Sequence, residues 1–162
     1  VGRDDVTQNV IIQGLSGHPG LVPLVVSWFE AEWPGWYGAA GEGDAQRDVL
    51  RYSSAKGSIP LGLVAFCDGT PCGFGALKND PIPAGSLLGP WVGAGYVRPD
   101  LRGRGIGTLV LRALTREARR LGFPHVYCGT SSAISLLARE GWEQLEVVRH
   151  QGVQIAVFRS PA

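Results

Sequence analysis

The sequence contains no methionine and only two lysines, Lys56 and Lys78, so 13 of its 15 basic residues are arginine. Without methionine, Val1 is not a translation start. Scarce lysine beside abundant arginine, glycine and alanine points to a GC-rich bacterial genome. Cysteine is sparse too, as Cys67, Cys72 and Cys128. Cys67 and Cys72 straddle Asp68-Gly69-Thr70-Pro71, where a disulfide or half a metal site is conceivable. No second Cys or His pair at ligand spacing completes a metal site, so no metal is expected and packed, reduced thiols are the favoured reading. Reduced thiols suit a cytoplasmic protein. The formal net charge is only +1, which excludes nucleic acid or a membrane surface as a partner held by bulk charge. No apolar run approaches the roughly 20 residues of a membrane span, and no secretory leader is visible.

What is present describes a globular chain. Its 162 residues are 44% hydrophobic and 18% charged, enough for one domain, 1–162, with a sizeable core. Val10-Ile11-Ile12 reads as a first strand. Leu21 to Trp33 reads as a helix with Leu21, Leu24, Val25, Trp28 and Phe29 on one face. Pro34-Gly35 ends it and opens an aromatic loop, Trp33 to Gly38; Asp44 then caps a helix running to about Ala55. Leu61 to Cys67 and Pro71 to Asn79 form a hairpin around Asp68-Gly69. Asp80 to Pro90 reads as a long loop. Trp91 to Val97 is a strand, and Ile106 to Leu121 an amphipathic helix with Arg112, Arg116, Arg119 and Arg120 outward. The helix should bury Ile106, Leu109, Val110, Ala113, Leu114, Ala118 and Leu121. A parallel strand (His125 to Thr130), a short helix (Ser132 to Arg139, capped by Ser131 or Ser132) and a hairpin (Trp142 to Arg149, Val153 to Phe158) close an α/β domain with a mixed sheet.

The chemistry concentrates between the strand and the amphipathic helix. Arg102-Gly103-Arg104-Gly105-Ile106-Gly107-Thr108 brings three glycines and two arginines to a helix N-terminus. The first N–H groups of a helix have no partner inside it and lie at the positive end of its dipole. Gly103, Gly105 and Gly107 admit a phosphate close to the backbone and permit positive φ. Arg102 and Arg104 can add charge-assisted hydrogen bonds. The NTPase phosphate loop is excluded because no Gly-Lys-Ser/Thr is present, and the dinucleotide fingerprint because the third glycine is misplaced.

The stretch does fit Arg/Gln-x-x-Gly-x-Gly/Ala, and so resembles the cofactor loop of the GCN5-related N-acetyltransferase (GNAT) superfamily. The order of elements is similar along nearly the whole chain, and Leu136-Leu137-Ala138-Arg139-Glu140-Gly141-Trp142 is similar to the family's Leu-Tyr-Glu-Lys-Leu-Gly-Phe segment. The resemblance implies a single GNAT-like domain, with a central mixed, mostly antiparallel sheet and helices on both faces. It implies acetyl-CoA as cosubstrate, with Tyr96 and Val97 on the pantetheine arm, Arg102, Gly103, Arg104, Gly105, Ile106, Gly107 and Thr108 at the pyrophosphate, and Thr130 and Ser131 at the acetyl end. It implies an N-acetyltransferase working by direct attack of an amine, either a small molecule or a peptide N-terminus, and leaves a homodimer open.

Two departures from the family pattern matter. The position of the tyrosine that protonates the departing thiolate is Leu137, which leaves Thr130, Ser132, Ser135 or an ordered water as the replacement acid. The cofactor strand also lacks the family's glutamate base, so Glu30 and Glu32 on the first helix become candidates, Glu32 being the nearer to the aromatic loop. A lysine-like amine needs about 4–5 kcal/mol to be neutral at pH 7, an α-amine about 1–1.5 kcal/mol. Weak base provision therefore favours an acceptor of low pKa, with proximity supplying much of the rate. A non-catalytic CoA-binding module of the same fold is the alternative that Leu137 keeps open.

Overall fold

The computed structural model describes residues 9–54, 57–80 and 88–161. Seven strands form one sheet: β1 (Val10–Gly14), β2 (Leu61–Cys67), β3 (Thr70–Lys78), β4 (Trp91–Val97), β5 (Tyr127–Thr130), β6 (Glu143–His150) and β7 (Val153–Arg159). Their spatial order is β1-β2-β3-β4-β5-β7-β6. The β4–β5 contact is parallel and the other neighbours are antiparallel. Among the described residues five α-helices accompany them: α1 (Val22–Glu32), α2 (Pro34–Tyr37), α3 (Ala45–Ser54), α4 (Ile106–Arg120) and α5 (Ile134–Arg139). This is the expected mixed, mostly antiparallel α/β architecture.

Alternation along the strands sends side chains to two cores. Val64, Phe74 and Ala76 join Val25, Phe29, Val49 and Tyr52 of α1 and α3 on one face. Leu61, Ala65 and Leu77 join Ile106, Val110, Leu114 and Leu137 of α4 and α5 on the other. Close approach on the α4 face requires glycine at one strand position: a Cβ on Gly75 would lie 2.7 Å from Val110 Cγ1 and 2.8 Å from Leu114 Cδ1. Both hairpin turns place two successive residues at positive φ, Asp68 (49°) with Gly69 (82°) and Gln151 (49°) with Gly152 (78°), as two-residue hairpins prefer.

Several local expectations are corrected. Leu24 is 37% exposed, and Val22, two residues earlier, is buried instead. In α4 Leu111 is in the core, while Leu109 and, just past the helix, Leu121 are only half-buried. Pro34 does not open a loop; it starts α2, where its missing N–H costs nothing at a first helical turn. The short helix near the C-terminal end begins at Ile134, and neither Ser131 nor Ser132 caps it. No side chain caps it; Thr130 instead closes the turn before it, its Oγ1 accepting the N–H groups of Ser132 (3.1 Å) and Ala133 (2.9 Å). The Asp44 cap is present, its Oδ1 accepting the Arg47 N–H at 3.0 Å. Gly122, at φ 94°, ends α4 with the Phe123 N–H bonded back to Ala118 O. Cys67, Cys72 and Cys128 are thiols. Most of the 80–90 loop lies outside the described residues. No helix among the described residues is long and apolar enough to cross a membrane.

Candidate functional site

β4 and β5 touch at one register pair, Trp91 with Tyr127, and then part. Beyond it Cys128, Gly129 and Thr130 pair with β7 on the far side, while β4 continues along β3. The edge of β4 that faces β5 is therefore left without a strand partner from Val92 onward. Backbone N–H and C=O groups on such an edge can bind an extended ligand arm as a strand would. Within this edge β4 bulges: Tyr96 pairs with Phe74 and Gly93 with Ala76, so Ala94 and Gly95 together oppose Gly75. Ala94 adopts φ 53°, left-handed backbone that a non-glycine residue rarely takes. Bulges re-aim backbone groups beside functional sites. Sequence reading missed this one. Its signal was Gly93-Ala94-Gly95, a run of small residues inside an apparent strand.

β4 leads through a single turn, Pro99–Leu101, into Arg102, Gly103, Arg104 and Gly105, all exposed. Gly103 (φ 76°) and Gly105 (φ 89°) have the positive φ expected of them. Gly107 does not, because it already lies in the first turn of α4. Gly105 is the N-cap of α4, and no side chain caps that end. The N–H groups of Ile106, Gly107 and Thr108 thus precede the helix's own bonding pattern, at the positive end of a 15-residue helix. This is the cradle an anionic phosphate needs.

Arg102 is more constrained than its exposure suggests. Its Nε donates to Val97 O at 2.7 Å, and its Nη2 donates to Glu32 Oε2 at 2.8 Å. Its guanidinium also sits 5.5 Å from the centre of the Tyr96 ring. Tyr96 in turn stacks on Trp28 of α1, with centroids 4.8 Å apart and planes 21° from parallel, and burial raises its phenol pKa. Four residues singled out from the sequence, Glu32, Tyr96, Val97 and Arg102, thus form one connected group. Arg104 is exposed and has no ion-pair partner among the described residues.

On the other side of the opening, Thr130 ends β5, 9% exposed, with its hydroxyl oxygen engaged in the turn described above. Ser131 and Ser132 follow it and are exposed. Leu137 is 1% exposed and belongs to the core under α4. Near α1, Val26, Glu30, Tyr37 and Asp44 line a cleft of about 330 Å³. There the Tyr37 hydroxyl donates to Asp48 Oδ2 at 2.7 Å, and desolvation together with that carboxylate raises the Tyr37 pKa. Among the described residues no cluster of three His, Cys, Asp or Glu could hold a metal ion.

Comparison with known proteins supplies the remaining findings. The model of the acetyltransferase (GNAT) family matches residues 24–144. No curated protein matches the chain significantly. Among solved structures, the fold is similar to a GCN5-related N-acetyltransferase from Kribbella flavida, with a TM-score of 0.76 and 18% identity over 96% of this chain and 99% of that one. It is similar to an aminoglycoside 6'-N-acetyltransferase complexed with coenzyme A, with a TM-score of 0.74 and 13% identity over 93% and 96%. A Salmonella typhimurium protein solved with its cofactor acetyl-CoA gives 0.71 and 18% over 93% and 92%. At these identities the likeness is one of fold.

Proposed function

Because the chain belongs to the GNAT acetyltransferase family, we propose that it is a cytoplasmic acyltransferase domain that binds acetyl-CoA and passes the acetyl group directly to an amine. The observation that carries this reading is the pairing of an unpartnered β4 edge with the uncapped N-terminus of α4 at its end. Ile106, Gly107 and Thr108 offer amides to the pyrophosphate, and Arg102 and Arg104 offer charge. Tyr96 and Val97 present backbone groups to the pantetheine arm along the open edge. Acetyl-CoA brings the activated thioester. The left-handed turn at Ala94 would direct a backbone N–H at developing negative charge on the acyl oxygen, as preorganised donors do.

The acceptor is an amine of a small molecule or of a peptide N-terminus. Glu32 lies at the end of α1, bonded to Arg102 of the loop. It acts on the acceptor's proton through water. Thr130 and Ser132 are the hydroxyls available to the departing thiolate, with Thr130 still able to donate its own proton while its oxygen accepts the Ser132 and Ala133 N–H groups. Release of the CoA thiol, followed by a thiol reagent with a panel of aminoglycosides, polyamines and free-N-terminal peptides, tests the reading.

A second reading, a CoA-binding module without catalysis, is favoured by one observation: Leu137 occupies the core where the family carries a phenol. Acetyl-CoA binding without thiol release for any amine supports it.

A further inference from the structure

Lys78 ends β3, directly opposite Trp91 at the start of β4. It shares a strand face with Phe74 and Ala76, the face covered by α1 and α3 and opposite to α4. From there its side chain lies across Gly93. A Cβ on Gly93 would fall 2.6 Å from Lys78 Cε and 3.0 Å from Nζ. The glycine therefore makes room for the amine one residue from the Ala94 bulge, just past the single register pair after which β4 and β5 part. Cys128 on β5 is among the groups that act electrostatically on the same amine.

We propose that Lys78 is a self-acetylation site, its amine taking the acetyl group from acetyl-CoA held in the β4–β5 opening. The inference rests on the acetyl-CoA reading of that opening. In the step, the neutral Nζ attacks the thioester carbonyl carbon. A nitrogen–carbon bond forms and the carbon–sulfur bond breaks. One of the two amine protons passes to the departing sulfur, leaving an acetamide on Lys78 and free CoA thiol. Nothing else is consumed.

The surroundings suit an amine that reacts. Burial is the largest influence on Lys78 and lowers its pKa, which raises the neutral fraction that can attack. Asp80 beyond β3, Cys128 on β5 and Asp48 on α3 oppose this in part, in that order of size. Proximity supplies the rest of the rate. Once acetylated, the side chain is uncharged and longer over Gly93, so the modification narrows the same opening and limits itself to one turnover.

The chain's second lysine, Lys56, is an internal control. Purified protein is incubated with acetyl-CoA and both lysines are followed by peptide mass spectrometry, with calorimetry reporting acetyl-CoA binding in parallel. Lys78 is expected to gain one acetyl group at least about tenfold faster than Lys56. The difference should vanish in Gly105→Asp, and Lys78→Arg should bind acetyl-CoA yet gain nothing at residue 78. A second arm uses trace acetic anhydride in place of acetyl-CoA. Lys78 should label down to lower pH than Lys56, and saturating CoA should slow it at Lys78 alone. Bound acetyl-CoA with Lys78 unmodified, or both lysines modified at one rate, overturns the inference while leaving the proposed function standing. Absence of acetyl-CoA binding by folded protein overturns the function first, and the inference with it.

Discussion

Glu32 and Arg102 are 70 residues apart in sequence and joined by a 2.8 Å hydrogen-bonded ion pair that ties the end of α1 to the loop before α4. Arg102 thus meets a protein carboxylate with the same guanidinium that the family resemblance assigns to a phosphate. Both side chains are partly exposed, at 44% and 34%, so the pair contributes at most about 1 kcal/mol to stability.

The first prediction follows from that competition. Glu32→Gln removes the rival acceptor for Arg102 Nη2, while the bond from Nε to Val97 O still orients the guanidinium. Acetyl-CoA affinity should rise by about two- to fivefold, within the 1 kcal/mol range of an exposed pair, and the gain should shrink in high salt. Calorimetry at two salt concentrations measures it. Weaker binding in Glu32→Gln would mean that the carboxylate positions the arginine and does not compete for it.

Thr130 offers a separation of structural from chemical roles. Its Oγ1 accepts two backbone N–H groups in the turn that leads into α5, so Thr130→Val should cost about 1–2 kcal/mol in denaturant unfolding. Thr130→Ser keeps the oxygen and should recover most of that loss. A valine variant as stable as wild type would show that these two bonds are not formed in solution.

Stability should fall on the alkaline side. Burial pushes the thiols of Cys72 and Cys128 each up to about 11, above the ordinary value near 8.5–9 that they regain on unfolding. A folded-state pKa above the unfolded one gives stability that is complete below about pH 8.5 and is lost as pH rises through about 11, because only the unfolded chain releases the proton in that window. The loss is on the order of 2 kcal/mol per thiol. Thermal melts under reducing conditions from pH 8 to 11 should decline, and the decline should flatten in a Cys72→Ala, Cys128→Ala double variant compared with its own neutral-pH stability. An equally steep decline in the double variant would place the effect elsewhere.

The cofactor loop could be read from sequence because its signals are local: glycines whose φ the turn demands at 103 and 105, and a helix that starts at Ile106. Both hairpins and the parallel pairing of β4 with β5 were also accessible, since each hairpin has its own two-residue turn and the parallel crossover contains a helix. What escaped reading depends on contacts between distant segments. The Glu32–Arg102 pair exists because the sheet brings the end of α1 over the end of β4. The Ala94 bulge arises from a register shift against Gly75, and periodicity in β4 alone does not reveal it. Lys78 is a plain strand-end lysine until Gly93, on another strand, is seen to leave space for its side chain. Leu24 and Leu109 were misplaced for a related reason, as helical spacing gives a stripe but not the width that the sheet and neighbouring helices cover.

The account stands on acetyl-CoA being held at the start of α4. Calorimetric titration of acetyl-CoA into wild type, Arg102→Ala and Gly105→Asp tests this most directly. Gly105→Asp forces a side chain onto backbone at φ 89° and adds a carboxylate to the anion cradle, and Arg102→Ala removes the anchored charge. The account predicts micromolar binding to wild type, loss of about tenfold or more in Arg102→Ala as befits a charge-assisted contact, and no detectable binding in a folded Gly105→Asp. Folded wild-type protein that binds no acetyl-CoA, or binding that both substitutions leave unchanged, would contradict it.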